Sequence, residues 1–197
     1  MRVVQAEFLV SVAESNWPAA DLPEVAFVGR SNVGKSSLLA ALTGRQGLVR
    51  VSRTPGRTQL INFFHLIVAE KERQHALRFV DLPGFGYAKV AKAERQKWFA
   101  RIERYLGHRS CLKSCVLLCD ARRGAELDET ELAEFLRSRS IALIPVLAKA
   151  DQIAKHQRKP RAEALTRALG AKAVVVSAKE QDGVPDLWQR IFQSIRP

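Results

Sequence analysis

The run Gly29-Arg30-Ser31-Asn32-Val33-Gly34-Lys35-Ser36 matches G-x-x-x-x-G-K-[ST] in full. Its glycines let the backbone fold tightly around phosphate oxygens, and backbone N–H groups at a helix N-terminus supply positive potential. The Lys35 ammonium would reach the β and γ phosphates of a nucleoside triphosphate, and the Ser36 hydroxyl would bind magnesium. Nothing in this loop separates GTP from ATP.

Later segments narrow the base. Asp81-Leu82-Pro83-Gly84 is a D-x-x-G run, in which Asp81 can hold magnesium through a water and the Gly84 N–H can sense a γ-phosphate. Ala148-Lys149-Ala150-Asp151 ends in a carboxylate that can accept hydrogen bonds from guanine N1–H and its 2-amino group. Adenine lacks that pair of donors and would leave a buried charge unpaired. The Lys149 stem can lie along the base plane, and in Ser177-Ala178-Lys179 the Ala178 N–H can bond the guanine carbonyl. Each short run alone reads as a surface turn; their order and their places after strands carry the inference. Residues 53–59, Arg-Thr-Pro-Gly-Arg-Thr-Gln, have the composition of a loop. A threonine there would close over the γ-phosphate and complete the magnesium shell. Thr58, just before a strand, is favoured over Thr54.

The elements that must position these groups follow from hydrophobic patterning. Apolar runs at 24–28, 76–80, 115–119, 141–147 and 173–176 predict buried strands. Residues 60–69 predict a longer strand, paired antiparallel with the 76–80 run across a polar turn at 70–74. Helical patterns cover 37–43, 91–106, 127–139, 161–169 and 184–195, with Gly44 and Gly170 where helix-ending glycines belong. This alternation predicts an α/β fold with a mostly parallel sheet, one antiparallel strand and helices on both faces. Ligands of such sheets bind beyond the carboxyl ends of the strands, where the motifs fall. One domain over 24–197 is expected, with 1–23 as an N-terminal extension packed on it.

Composition excludes several classes. No apolar run approaches the roughly 20 residues of a membrane span, so no stable membrane insertion is expected. The short apolar patch at 8–13 follows Glu7 and lacks a cleavage site, so no export signal is read and the cytoplasm is the expected compartment. Three cysteines, Cys111, Cys115 and Cys119, do not make a disulfide framework. On a strand Cys115 and Cys119 would stand about 13 Å apart, too far to share one zinc ion, so they read as buried small hydrophobes. The net charge of +12 and the pI of 10.2 favour a polyanionic partner.

Taken together, the motifs resemble the EngB (YihA/YsxC) family of bacterial GTPases within the Ras-like P-loop NTPases. The carrying residues are positions 29–36, Thr54-Pro55-Gly56-Arg57-Thr58-Gln59, Asp81-Leu82-Pro83-Gly84-Phe85-Gly86-Tyr87 and Lys149-Ala150-Asp151. The resemblance implies magnesium-dependent GTP hydrolysis, a role in assembling the large ribosomal subunit and a requirement in septation during cell division. It also implies a nucleotide site built from Gly29 to Ser36 with Ser37; from Gly56, Arg57, Thr58, Gln59 and Leu60; from Asp81, Leu82, Pro83 and Gly84; from Ala148, Lys149, Ala150 and Asp151; and from Val176, Ser177 and Ala178. Lys35, Thr58, Gly84 and Asn32 are the expected catalytic positions, and Ser36 and Thr58 the expected magnesium ligands.

Two departures bear on chemistry. The guanine motif usually reads Asn-Lys-x-Asp, in this family often Thr-Lys-Ala-Asp; Ala148 offers no side-chain polar atom, a loss of about 1 kcal/mol for one hydrogen bond. Many relatives place a glutamine just after D-x-x-G to orient the attacking water; Phe85 stands there, so unaided hydrolysis should be slow. A cation near the β–γ bridge would compensate, and Asn32, two residues before Gly34, is the expected ligand for a potassium ion.

Basic residues concentrate in two stretches. The first holds Lys89, Lys92, Arg95, Lys97, Arg101, Arg104, His108 and Arg109, with Lys97, Arg101, Arg104 and His108 on one helix face and Trp98, Ile102 and Tyr105 turned inward. The second holds Lys155, Arg158, Lys159, Arg161, Arg167 and Lys172. The reading is a monomeric GTP/GDP-binding protein whose basic surface meets ribosomal RNA or a large-subunit precursor. The alternatives are a P-loop phosphotransferase acting on a small molecule and a nucleotide-switched scaffold at the division site. Lys149 and Asp151 count against the first, and measurable turnover would count against the second.

Overall fold

Strands too apolar to face water on either side become the inner strands of one sheet. A computed structural model describes residues 1–13, 16–48, 60–85 and 92–196, of which 92–95 contribute backbone only. The strands are β1 (Arg2–Val12), β2 (Glu24–Gly29), β3 (Ile61–Glu70), β4 (Arg73–Asp81), β5 (Leu112–Asp120), β6 (Ala142–Ala148) and β7 (Val174–Val176). The helices are α1 (Lys35–Thr43), α2 (Lys92–His108), α3 (Leu127–Ser138), α4 (Lys155–Leu169) and α5 (Val184–Ile195). Sheet order is β1-β3-β4-β2-β5-β6-β7. β3 pairs antiparallel with both β1 and β4, and the remaining pairs are parallel, so β3 alone runs against the others. The expected α/β fold with one antiparallel strand is the observed one.

Alternation along β2 divides the core. Val25 and Phe27 pack with Leu38, Leu39 and Leu42 of α1 and Leu187, Trp188 and Ile191 of α5. Ala26 and Val28 face the other way, with Ile102 and Tyr105 of α2, Leu132 and Leu136 of α3, and Leu165 and Leu169 of α4. Gly44 and Gly170 end α1 and α4 in the left-handed conformation, as expected. The β3–β4 turn tightens to Lys71 and Glu72, with Glu70 paired to Arg73. α4 begins at Lys155, ahead of the expected 161, and carries Pro160 within it. The cysteines are free and buried, and burial pushes the Cys115 and Cys119 thiols up.

β1 was not legible as a strand. It is an edge strand in which register shifts fall between Val3 and Gln5 and between Phe8 and Val10. Those shifts break the two-residue period, and Ala6 is its one fully buried side chain.

The N-terminal end of β2 is closed by charge. Glu24, fully buried, accepts from the Tyr105 hydroxyl at 2.7 Å and from Arg109 Nε at 2.7 Å and Nη2 at 2.5 Å. Arg78 lies 3.7 Å from the same carboxylate, and Arg78 and Arg109 donate to the Ala19 and Pro18 carbonyls at 2.7 Å. Burial first, and then the Glu24 charge, push the Tyr105 phenol well up. Arg109, grouped above with the basic stretch, is therefore an internal group.

Candidate functional site

The strand ends at Gly29, Asp81, Asp120, Ala148 and Val176 lie together at the carboxyl edge of the sheet. The phosphate loop leaves β2 here. Val33 is buried and its N–H donates to the Arg30 carbonyl at 3.1 Å, folding the loop back on itself. Asn32 takes a positive φ of 64°, and Gly34 a φ of 105° that only glycine adopts without strain. α1 then starts at Lys35, with Ser36 and Ser37 in its first turn. The Arg30 side chain leaves the loop for the start of α3, where it meets Glu126 at 2.7 Å and Glu129 at 3.9 Å.

The Lys35 ammonium is hydrogen-bonded to the Asp81 carboxylate. The other Asp81 oxygen accepts from the Asn62 amide at 3.3 Å, and the Asn62 amide oxygen accepts from the Ser11 hydroxyl at 2.5 Å. Leu82 and Pro83 are buried behind this pair. The Phe85 carbonyl accepts from the Ser31 N–H at 2.8 Å, and the Phe85 N–H donates to the Gly29 carbonyl at 3.3 Å. Gly84 thus lies directly on the phosphate loop: a Cβ there would stand 3.1 Å from Ser31 Oγ and 3.3 Å from the Gly29 carbonyl oxygen. The Trp98 indole N–H donates to the Pro83 carbonyl at 2.9 Å, and its ring packs edge-on to Phe85 at 5.0 Å. The D-x-x-G segment is thereby tied to the phosphate loop on one side and to α2 on the other.

On the base side, Lys149 sits in the left-handed region between β6 and a single 3-10 turn, Ala150–Gln152. Its ammonium donates to the Asn32 carbonyl at 2.6 Å and to Asp120 at 3.2 Å. Asp151 Oδ1 accepts from the Ser177 hydroxyl at 2.8 Å, and Ser177 is fully buried between Val176 and the half-buried Ala178. Leu60 is exposed. Gly56, Arg57, Thr58 and Gln59, with Thr54, Gly86 and Tyr87, lie outside the described residues.

Three residues that no sequence motif marks also support these groups. Asn62 holds Asp81, Asp120 holds Lys149, and Arg122 holds Asp120. The Arg122 guanidinium, and after it the Lys149 ammonium, hold the Asp120 carboxyl well below the usual carboxylate range. A signal for Asp120 existed: it ends the apolar run of β5 as Asp81 ends that of β4.

The arrangement offers a phosphate loop, a lysine, a hydroxyl and, apart from them, the Asp151 carboxylate held by Ser177. Ser36 and Asp81 are hard oxygen donors of the kind magnesium takes. On α2, Lys97, Arg104 and His108 are exposed and Arg101 is half-buried, while Ile102 and Tyr105 turn inward as expected. In the second basic group Lys155, Lys159, Arg167 and Lys172 are exposed. Arg158 pairs with Asp182 at 3.0 Å, and Arg161 donates to the Ala121 carbonyl at 2.9 Å. No helix among the described residues is long and apolar enough to cross a membrane.

Comparisons with known proteins converge on one group. The family described as 50S ribosome-binding GTPase matches residues 24–149. A protein of Anaeromyxobacter sp. (strain K) named probable GTP-binding protein EngB is 45% identical over 197 residues, covering 97% of this chain and 91% of its own. Proteins of the same name from Geobacter metallireducens and Streptococcus pyogenes serotype M5 are 42% and 40% identical, covering 97% and 96% of this chain and 92% and 94% of their own. Among solved structures, a probable GTP-binding protein EngB superposes with a TM-score of 0.68 at 27% identity, over 88% of this chain and 98% of that one. The cytosolic domain of the T. maritima FeoB iron transporter shares the fold, with a TM-score of 0.61 at 23% identity over 89% of this chain and 64% of that one.

Proposed function

The chain belongs to the EngB family of GTP-binding, GTP-hydrolysing proteins, and from that premise we propose that it is a GTP-dependent factor in assembly of the large ribosomal subunit, needed for normal cell division. The observation that carries the ribosomal part is the hydrogen bond from Trp98 to the Pro83 carbonyl. It joins the segment that would sense the γ-phosphate to the helix bearing Lys97, Arg101 and Arg104. A change at Gly84 would then move a basic helix face, altering how it meets an RNA backbone.

At the site, Lys35 neutralises charge on the β and γ phosphates, and Gly84 presents its N–H to the γ-phosphate. Ser36 and Thr58 would hold magnesium, with Asp81 assisting through a water, and the ion would supply further charge neutralisation on the phosphates. Asp151, aligned by Ser177, takes the guanine N1–H and 2-amino donors, and Ala178 the carbonyl. Phe85 cannot orient a water, so intrinsic hydrolysis is slow. Asn32 would supply a ligand for potassium, and that ion would add positive charge near the phosphates. The protein works as a monomer in the cytoplasm, through contact with ribosomal RNA or a subunit precursor.

The test is co-sedimentation with large ribosomal subunits in the presence of a non-hydrolysable GTP analogue and of GDP, across a salt series. The proposal expects stronger, salt-sensitive association in the analogue. Equal association in both nucleotides would reject the GTP-dependent role.

A further inference from the structure

β5 and β6 run in parallel register with Asp120 beside Ala148, so these two side chains leave one face of the sheet together at its carboxyl edge. Ala148 contributes only a methyl group. Asp120, 8% exposed, contributes a carboxylate that accepts from the Arg122 N–H at 3.0 Å, from Arg122 Nε at 2.9 Å and Nη2 at 2.7 Å, and from Lys149 Nζ at 3.2 Å. The same Lys149 ammonium donates to the Asn32 carbonyl at 2.6 Å. A continuous chain of charge-assisted bonds thus links the end of β5, the base-recognition segment and the middle of the phosphate loop. The Lys149 stem also passes Gly34, where a Cβ would lie 3.6 Å from Lys149 Cε.

We propose that Asp120 is a positioning residue for nucleotide binding, acting through Lys149. It anchors the lysine so that the ammonium stays on the Asn32 carbonyl and the stem keeps its place beside the base. Arg122 clamps Asp120 in the orientation this requires, because two guanidinium bonds and one backbone bond fix the carboxylate plane. Without the anion, the flexible lysine has one carbonyl to hold it and a solvent-facing alternative. The dependence is sharpened by Ala148, which gives the same strand edge no polar atom with which to share the task. The base half and the phosphate half of the site then lose their fixed spacing, which lowers affinity for GTP and GDP alike, since both carry the same base and both engage the loop. The inference rests on the guanine-nucleotide reading of the site given above.

A double-mutant cycle tests it. Affinities for GTP, GDP and ATP are measured for the full-length protein and for Asp120→Ala, Lys149→Ala and the double variant. The expectation for Asp120→Ala is a loss of about tenfold for GTP and GDP together. Because Asp120 acts through Lys149, the double variant should bind like Lys149→Ala alone, to within about twofold. Asp120→Asn, which keeps shape and removes charge, should lose affinity in the same direction and stands in should the alanine variant fail to fold. Wild-type affinity in Asp120→Asn, or losses that multiply in the double variant, would overturn the inference while leaving a guanine-selective wild type intact. A wild type that binds ATP as tightly as GTP would overturn the reading of the site and the inference with it.

Discussion

Both ends of β2 carry buried charge, and they use it in opposite ways. At the N-terminal end Glu24 is surrounded by Tyr105, Arg109 and Arg78, all belonging to the fold, with the two arginines held in place by further bonds to the Pro18 and Ala19 carbonyls. At the C-terminal end Lys35 and Asp81 hold each other at the mouth of a loop built to receive phosphate oxygens. Glu24 is fully closed from solvent, whereas Lys35 keeps 13% of its side chain accessible. A buried charge with every partner supplied internally fixes a structure; one whose partner can be exchanged for a ligand performs work. The same strand therefore carries an anchor at one end and a site at the other, and α2 spans the two through Trp98 near Pro83 and Tyr105 on Glu24.

This contrast can be broken in order of effect. Glu24→Ala strands the Arg109 guanidinium in the interior, and denaturant unfolding should show a loss of about 3–5 kcal/mol. Nucleotide affinity of the folded fraction should stay near wild type, and a protein of unchanged stability would show that the network is no anchor. Lys35→Ala should do the reverse. Equilibrium titration should show GTP affinity down by about a hundredfold, from the loss of charge-assisted bonds to two phosphates. Its thermal midpoint without nucleotide should fall less than that of Glu24→Ala, because the stranded Asp81 carboxylate keeps the Asn62 amide and lies beside the accessible loop mouth; a variant that binds GTP normally would remove the phosphate-loop assignment.

Tyr105→Phe deletes one bond to Glu24 and leaves the arginines, so the expected cost is about 1–2 kcal/mol in unfolding free energy. A larger loss of nucleotide affinity than of stability would blur the division between the two ends. The smallest effect concerns Asn32. Steady-state GTP hydrolysis should run several-fold faster in potassium than in sodium at equal ionic strength, and Asn32→Ala should erase that advantage. Equal rates in the two salts would exclude potassium for the isolated protein.

The two ends also differ in how readable they were. The site end was legible because phosphate chemistry demands residue types at fixed spacing: Gly29, Gly34, Lys35 and Ser36 occupy the positions the chemistry needs. The positions of Asp81 and Asp151 were legible because their motifs stand at the ends of apolar strands, where the structure places them. The inner strands were legible because burial on both faces leaves uninterrupted apolar runs, and the five helices because helical patterns fill the gaps between those runs. The anchor end was not, since nothing local to Glu24 reveals that Arg109, Tyr105 and Arg78 meet it across long sequence separations. Arg109 read as one more surface base for the same reason. β1 was hidden by its register shifts and Asn62 by acting on Asp81 through tertiary contact; Asp120 ends an apolar strand as Asp81 does, but no motif spacing marks it out. Motif spacing reports on groups that touch a ligand; groups that hold those groups are recorded only in the fold.

Competition binding with Asp151→Asn tests most directly whether this carboxyl edge selects guanine nucleotides through the Asp151 carboxylate. An amide at 151 offers a donor where xanthine presents an additional carbonyl, so the variant should lose GTP affinity and come to favour xanthosine triphosphate. An Asp151→Asn protein that keeps the wild-type preference for GTP would contradict the account.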